Sequence, residues 1–170
     1  LFDVVKMATE LTKAVNKLKE IQSPSGGFMW FKGGPEDRYM TQYIVSGFGR
    51  LRELGVTAGS DDALAKNIIA TAIKYLDSRI KNDYAQLIKQ KSNLANNHLS
   101  YLQIQYLYLR SMFKDIPVPG DVLKAYSYYR SQSQQFWIKQ NRYMQGMIAL
   151  SLYRSGDVKN ATAIVTSLKQ

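Results

Sequence analysis

The stretch RYMTQYIVSGFGRLRELGV, residues 38–56, decides the fold. Met40, Ile44, Phe48 and Leu51 step by three and four, the spacing that lines one side of an α-helix. The same pattern returns in SYLQIQYLYLRSMFKDIPV, residues 100–118, and in RYMQGMIALSLYRSGDV, residues 142–158. Each copy has a Tyr near its start (Tyr39, Tyr101, Tyr143), an apolar ladder, a basic residue (Arg50, Arg110, Arg154) and a short turn ending in Val. A second helical pattern follows each turn: DALAKNIIATAIKYL, DVLKAYSYYRS and DVKNATAIVTSL. The repeating unit is a helix, a short turn and an antiparallel helix, present three times with irregular spacing.

Further series step at helical spacing on either side. Val5, Ala8, Leu11, Val15 and Leu18 form a first helix without a partner; Leu64, Ile68, Ala72, Leu76 and Ile80 line another. Leu99, Leu102, Tyr106, Leu109 and Phe113, then Tyr143, Met147, Leu150 and Tyr153, then Val158, Ala161, Val165 and Leu168 complete the set. Tyr106, Tyr143 and Tyr153 are therefore expected to be buried. Ser60 or Asp61, Asp121 and Asp157 stand where helix N-caps are expected, and Gly55, Gly120, Gly156, Pro117 and Pro119 mark the links. A hairpin of two helices cannot bury its apolar stripe alone, so such units stack into an open solenoid or a closed ring. The expected fold is all-α: stacked antiparallel αα-hairpins in a partial or complete α/α toroid. The more apolar first helix of each pair belongs to the inner layer. Residues 1–170 are expected to form a single helical domain, and Leu1, opening inside a helical pattern without an initiator Met, suggests a fragment of a larger multidomain protein.

The one long irregular segment is IQSPSGGFMWFKGGPED, residues 21–37, the only place where sheet is expected. It concentrates four of the eleven glycines and the aromatics Phe28, Trp30 and Phe31. Those aromatics either offer contact area to a ligand or pin the loop by packing on the helix ends; the second reading is preferred. Phe28, Trp30 and Phe31 are the candidate binding residues, and Trp30 is expected to be buried.

Composition limits the chemistry. There is no Cys, which removes disulfides, thiol nucleophiles and Cys-based zinc sites. His98 is the single histidine, with no acidic neighbour in sequence, and Glu36–Asp37 and Asp61–Asp62 sit at helix starts, where acids complement the helix dipole. No catalytic residue, metal site or cofactor is expected. The net charge of +10 is spread along the chain without a run of five, so no nucleic-acid partner is expected. No apolar stretch reaches the roughly 18 residues of a membrane span.

Two stretches carry a family resemblance. GGFMWFKGGPEDRYMTQYIVSGFGRLRELG, residues 26–55, resembles bacterial alpha-2-macroglobulin-like proteins, in which a Gly-Gly-Phe-x-Trp loop and a second Gly-Gly lead into a helix beginning near a Tyr–Thr pair. MIALSLYRSGDVKNATAIVTSLKQ, residues 147–170, is similar to the Ala-Leu…Arg-x-Gly-Asp…Ala…Leu-Lys pattern near the end of the same helical domain. The resemblance implies an α/α toroid from the thioester region of a protease-trapping endopeptidase inhibitor, non-catalytic in itself. Its implied partners are neighbouring domains of the parent and trapped proteases. The implied location is periplasmic or cell-surface, with any lipid anchor outside this chain. The family's Cys-x-Glu-Gln thioester motif does not occur here, so no functional residue carries over. The alternatives are an α/α-toroid enzyme (lyase or glycan hydrolase), which would need Glu36, Asp37, Glu53 and His98 to converge, and a peptide-binding helical scaffold.

Overall fold

A computed structural model of the chain describes residues 4–55 and 63–169. The expected cap at Ser60 or Asp61, the pair Asp61–Asp62 and the opening residue Leu1 lie outside the described residues. Among those residues there are seven α-helices and one two-stranded hairpin of two residues per strand, an all-α fold. The chain divides into two compact units, Leu1–Leu76 and Asp77–Gln170.

The first unit holds α1 (Val4–Glu20), β1 (Phe28–Met29), β2 (Glu36–Asp37), α2 (Arg38–Glu53) and the first half of α3 (Ala63–Lys89). Helix α2 starts where Asp37, in extended conformation, accepts the Met40 amide on Oδ1 at 2.7 Å. This satisfies one of the orphan donors of the first turn. The buried face of α2 comprises Thr41, Gln42, Val45, Ser46, Phe48 and Gly49. The expected stripe is thus corrected: Phe48 is interior, Leu51 is exposed, and the covered face is built from small and polar residues one step round the helix. In α3, Ile68, Ala72 and Leu76 are interior, as their spacing predicts. The helix continues past Leu76 to Lys89, and Ile80 remains on its buried stripe.

The second unit begins within α3 and contains α4 (Tyr101–Arg110), α5 (Leu123–Phe136), a 3₁₀ turn (Trp137–Lys139), α6 (Arg142–Arg154) and α7 (Val158–Leu168). Ser100 and Gln103 form a capping box at α4, and Asn141 caps α6 by accepting the Met144 amide at 3.0 Å. Every residue from Gln103 to Phe113 is buried, because α4 packs against both α5 and α6, while α7 covers α6. The Ser151 hydroxyl donates to the Leu107 carbonyl at 3.1 Å, and the Arg154 guanidinium lies 5.2 Å above the Tyr108 ring, tying α6 to α4.

Three expectations need correction here. Tyr106 is interior, but Tyr143 and Tyr153 are exposed, since α6 turns Met147, Ile148, Ser151 and Leu152 into the core instead. On α7, Val158 and Val165 are exposed, and Ala161 with Ile164 makes the buried face. Asp157 does cap α7, accepting the Asn160 amide at 3.2 Å. Asp121 caps nothing: α5 begins at Leu123 without a side-chain cap, and the Asp121 carboxylate pairs with Lys81 at 2.6 Å.

Candidate interaction site

The Gly-rich segment of the first unit is a short hairpin with Phe28 opposite Asp37 and Met29 opposite Glu36. Gln22 adds an isolated bridge to Phe28. The base is fastened at several points. Gln22 Nε2 donates to the Ile68 carbonyl at 2.9 Å and the Thr71 hydroxyl at 3.0 Å on α3. The Phe28 amide donates to Thr41 Oγ1 at 2.8 Å, and that hydroxyl donates to the Asp37 carbonyl at 2.7 Å. The Ser23 and Ser25 hydroxyls both donate to Glu36 Oε1. Gly26, at φ +98°, lies so close to α3 that a Cβ would stand 2.2 Å from the Thr71 carbonyl oxygen. A side chain there is excluded on both counts.

This anchoring divides the three candidate aromatics. Phe28 is 0% exposed and belongs to the core of the unit. Trp30 and Phe31 are 63% and 65% exposed, which corrects the expectation that Trp30 is buried. The reason is local: the strand pair ends at Met29 and Glu36, so residues 30–35 form its tip. There the chain reverses through a turn in which the Gly34 amide donates to the Phe31 carbonyl at 3.0 Å, with Gly33 at φ +83°. A positive φ at the third residue is what a type II turn requires. Trp30 is exposed yet held, because its indole N–H donates to Asp37 Oδ2 at 3.2 Å while Oδ1 of the same carboxylate caps α2. One side chain therefore fixes both the start of the helix and the direction of the indole. The result is an oriented indole followed by the exposed Phe31 and Lys32, and exposed aromatics of this kind anchor protein contacts. Gln22, which fastens the hairpin, carries no motif in the sequence, and the role of Thr41 in the Tyr–Thr pair is revealed only by its bond to the Phe28 amide.

The acids and the histidine named as possible catalysts have local roles. Glu36 serves the hairpin base and Asp37 the cap, as above, while Glu53 is exposed at the end of α2. In the second unit the His98 backbone amide donates to Gln132 Oε1 at 2.8 Å, and its ring Nε2 lies 3.0 Å from the Asn93 carbonyl oxygen. Among the described residues no three His, Asp or Glu side chains gather as a metal site.

The second unit holds a buried ionic cluster. Asp77 Oδ1 accepts from the Tyr106 hydroxyl at 2.6 Å and lies 3.2 Å from Arg110 Nε, all three residues being interior. Arg110 Nη1 also donates to the Ile116 carbonyl at 3.0 Å, which holds the turn after α4. Burial raises the Asp77 carboxyl above the ordinary range, against the opposing pull of Arg110 and the Tyr106 hydroxyl. The Tyr106 hydroxyl is driven well above the ordinary phenol range, by burial first and then by the Asp77 charge. A phenol so held keeps its proton, and the cluster reads as a structural tie between α3 and α4.

Fold and site together define a class: an all-α chain with a small β-hairpin whose tip exposes two aromatic residues. Comparison with models of known families, with characterised proteins and with solved structures found no match. No helix among the described residues is long and apolar enough to cross a membrane.

Proposed function

We propose that the chain is a non-catalytic segment of an α/α toroid from an alpha-2-macroglobulin-like, protease-trapping protein. In this reading the Trp30–Phe31 tip contacts a neighbouring domain of the parent. The observation that carries it is the division of labour in the Gly-Gly-Phe-Met-Trp-Phe hairpin: Phe28 and Gly26 are needed inside, while Trp30, held by Asp37, and Phe31 stand outside. Two exposed aromatics, one of them held in place, add nothing to the core of this unit. Their cost in exposed apolar surface is offset only when a partner covers them. The packing of α4 against α6, the first helices of successive hairpins, supports stacking in the toroidal manner. The proposed location, periplasmic or cell-surface with any anchor outside the chain, follows from the same reading.

The test uses the full-length protein that carries this segment, mixed in excess with an endopeptidase. A trap leaves the protease active on a small peptide substrate and blocks its action on a large protein. Undiminished cleavage of the large substrate contradicts the proposal.

A further inference from the structure

The charge of the chain is divided unevenly between its two units. Residues 77–170 hold thirteen Lys and Arg, five Asp and no Glu, a net +8 of the chain's formal +10. No acid occurs between Asp121 and Asp157, whereas Lys124, Arg130, Lys139, Arg142 and Arg154 do. That acid-free run comprises α5, the 3₁₀ turn and α6. At its centre is the link FWIKQNRY, residues 136–143, which has no part in the function proposed above.

The link is held in place by its own polar groups. The Gln140 amide donates to the Trp137 carbonyl at 3.0 Å, Gln145 Nε2 donates to the Gln140 carbonyl at 2.8 Å, and Asn141 caps α6. Two of its apolar side chains nevertheless face solvent, Ile138 at 67% and Tyr143 at 61% exposure. Lys139 and Arg142 are exposed beside them, and Lys139 Nζ lies 5.3 Å from the centre of the Phe136 ring. Helix α6 adds the positive end of its dipole here, with a neutral Asn as cap and no acid in its first turn.

We propose that this link binds the surface of an anionic phospholipid bilayer. Ile138 and Tyr143 enter the interfacial layer, and Lys139 and Arg142 pair with the lipid phosphates. The cations alone would suit any polyanion in water. Ile138 decides between partners, because an aliphatic side chain gains nothing beside a hydrated polyanion and is drawn into the boundary of the acyl chains. A tyrosine ring is at home at headgroup level, and basic groups next to it meet the negative surface potential.

Sedimentation of the 170-residue chain with lipid vesicles tests it. The chain should bind vesicles of phosphatidylglycerol mixed with phosphatidylcholine and leave vesicles of phosphatidylcholine alone in the pellet without it. A basic residue at an anionic surface contributes about five-fold in affinity, so Lys139→Gln combined with Arg142→Gln should weaken binding by about 30-fold. Ile138→Ser should weaken it by about ten-fold, since the side chain only partly leaves water at the interface. The three positions are exposed, so the melting midpoint should stay unchanged in both variants. Binding to neither vesicle, equal binding to both, or variants that bind as the wild type does would each overturn the inference. So would binding that is lost in Trp30→Ala with Phe31→Ala and kept in the link variants, which assigns the contact to the β-hairpin tip. Binding to single-stranded DNA that the Gln pair weakens and Ile138→Ser leaves unchanged overturns it in favour of a nucleic acid.

Discussion

At the scale of single residues, Phe28 and Trp30, two positions apart, have opposite assignments. Phe28→Ala should cost about 3–5 kcal/mol, the range for emptying a buried aromatic site. Trp30→Ala should change stability by no more than about 0.5 kcal/mol, as for an exposed position. Urea unfolding followed by circular dichroism compares them, and equal losses would contradict the division between anchor and tip. Asp77→Ala removes the partner of a buried guanidinium and the acceptor of the Tyr106 hydroxyl, and should cost about 3–5 kcal/mol; a variant as stable as the wild type would show that Arg110 finds another partner. The hairpin could be located from sequence because its Gly and aromatic residues are concentrated in one segment. Its aromatics could not be sorted, because Phe28 and Trp30 have the same parity along the strand, and only the strand's end at Met29 separates them.

At the scale of elements, caps and stripes were legible to different degrees. Asp157 and Asp121 look alike in sequence, each an Asp between Gly and Val. Asp157 caps its helix, whereas Asp121 is drawn to Lys81, a residue 40 positions away. Asp157→Ala should therefore destabilise the fold by about 1 kcal/mol, and Asp121→Ala, which breaks only an exposed pair, by less. The hydrogen bond from Asn160 holds the Asp157 carboxyl below its ordinary range. Its contribution is present above about pH 4 and is lost as pH falls through the depressed folded value. Asp77 has the opposite sign: its raised carboxyl favours the folded state more as pH falls. Stability measured from pH 7 to pH 2.5 should show wild type and Asp157→Ala converging at the acid end; a constant gap would contradict the cap assignment. Stripes were legible where one face alone is strongly apolar, as in α3. They were misread in α2, where Thr41, Gln42 and Ser46 are interior, and in α6, which has two apolar faces.

At the scale of the whole molecule, the all-α class followed from periodicity alone, because spacing of three and four is a property of each segment. Which face of each hairpin is covered depends on neighbours, and periodicity holds no information about those. In the proposed function the aromatic hairpin presents a partner surface within a protease-trapping helical array. The most direct measurement is a paired one with Trp30→Ala and Phe31→Ala: the thermal melting midpoint of the 170-residue chain, and the blocking of protease action on a large substrate by the full-length protein. The account predicts an unchanged midpoint for the isolated 170-residue chain and weakened blocking by the full-length protein. A melting midpoint lowered as far as that of Phe28→Ala, with blocking intact, would contradict it.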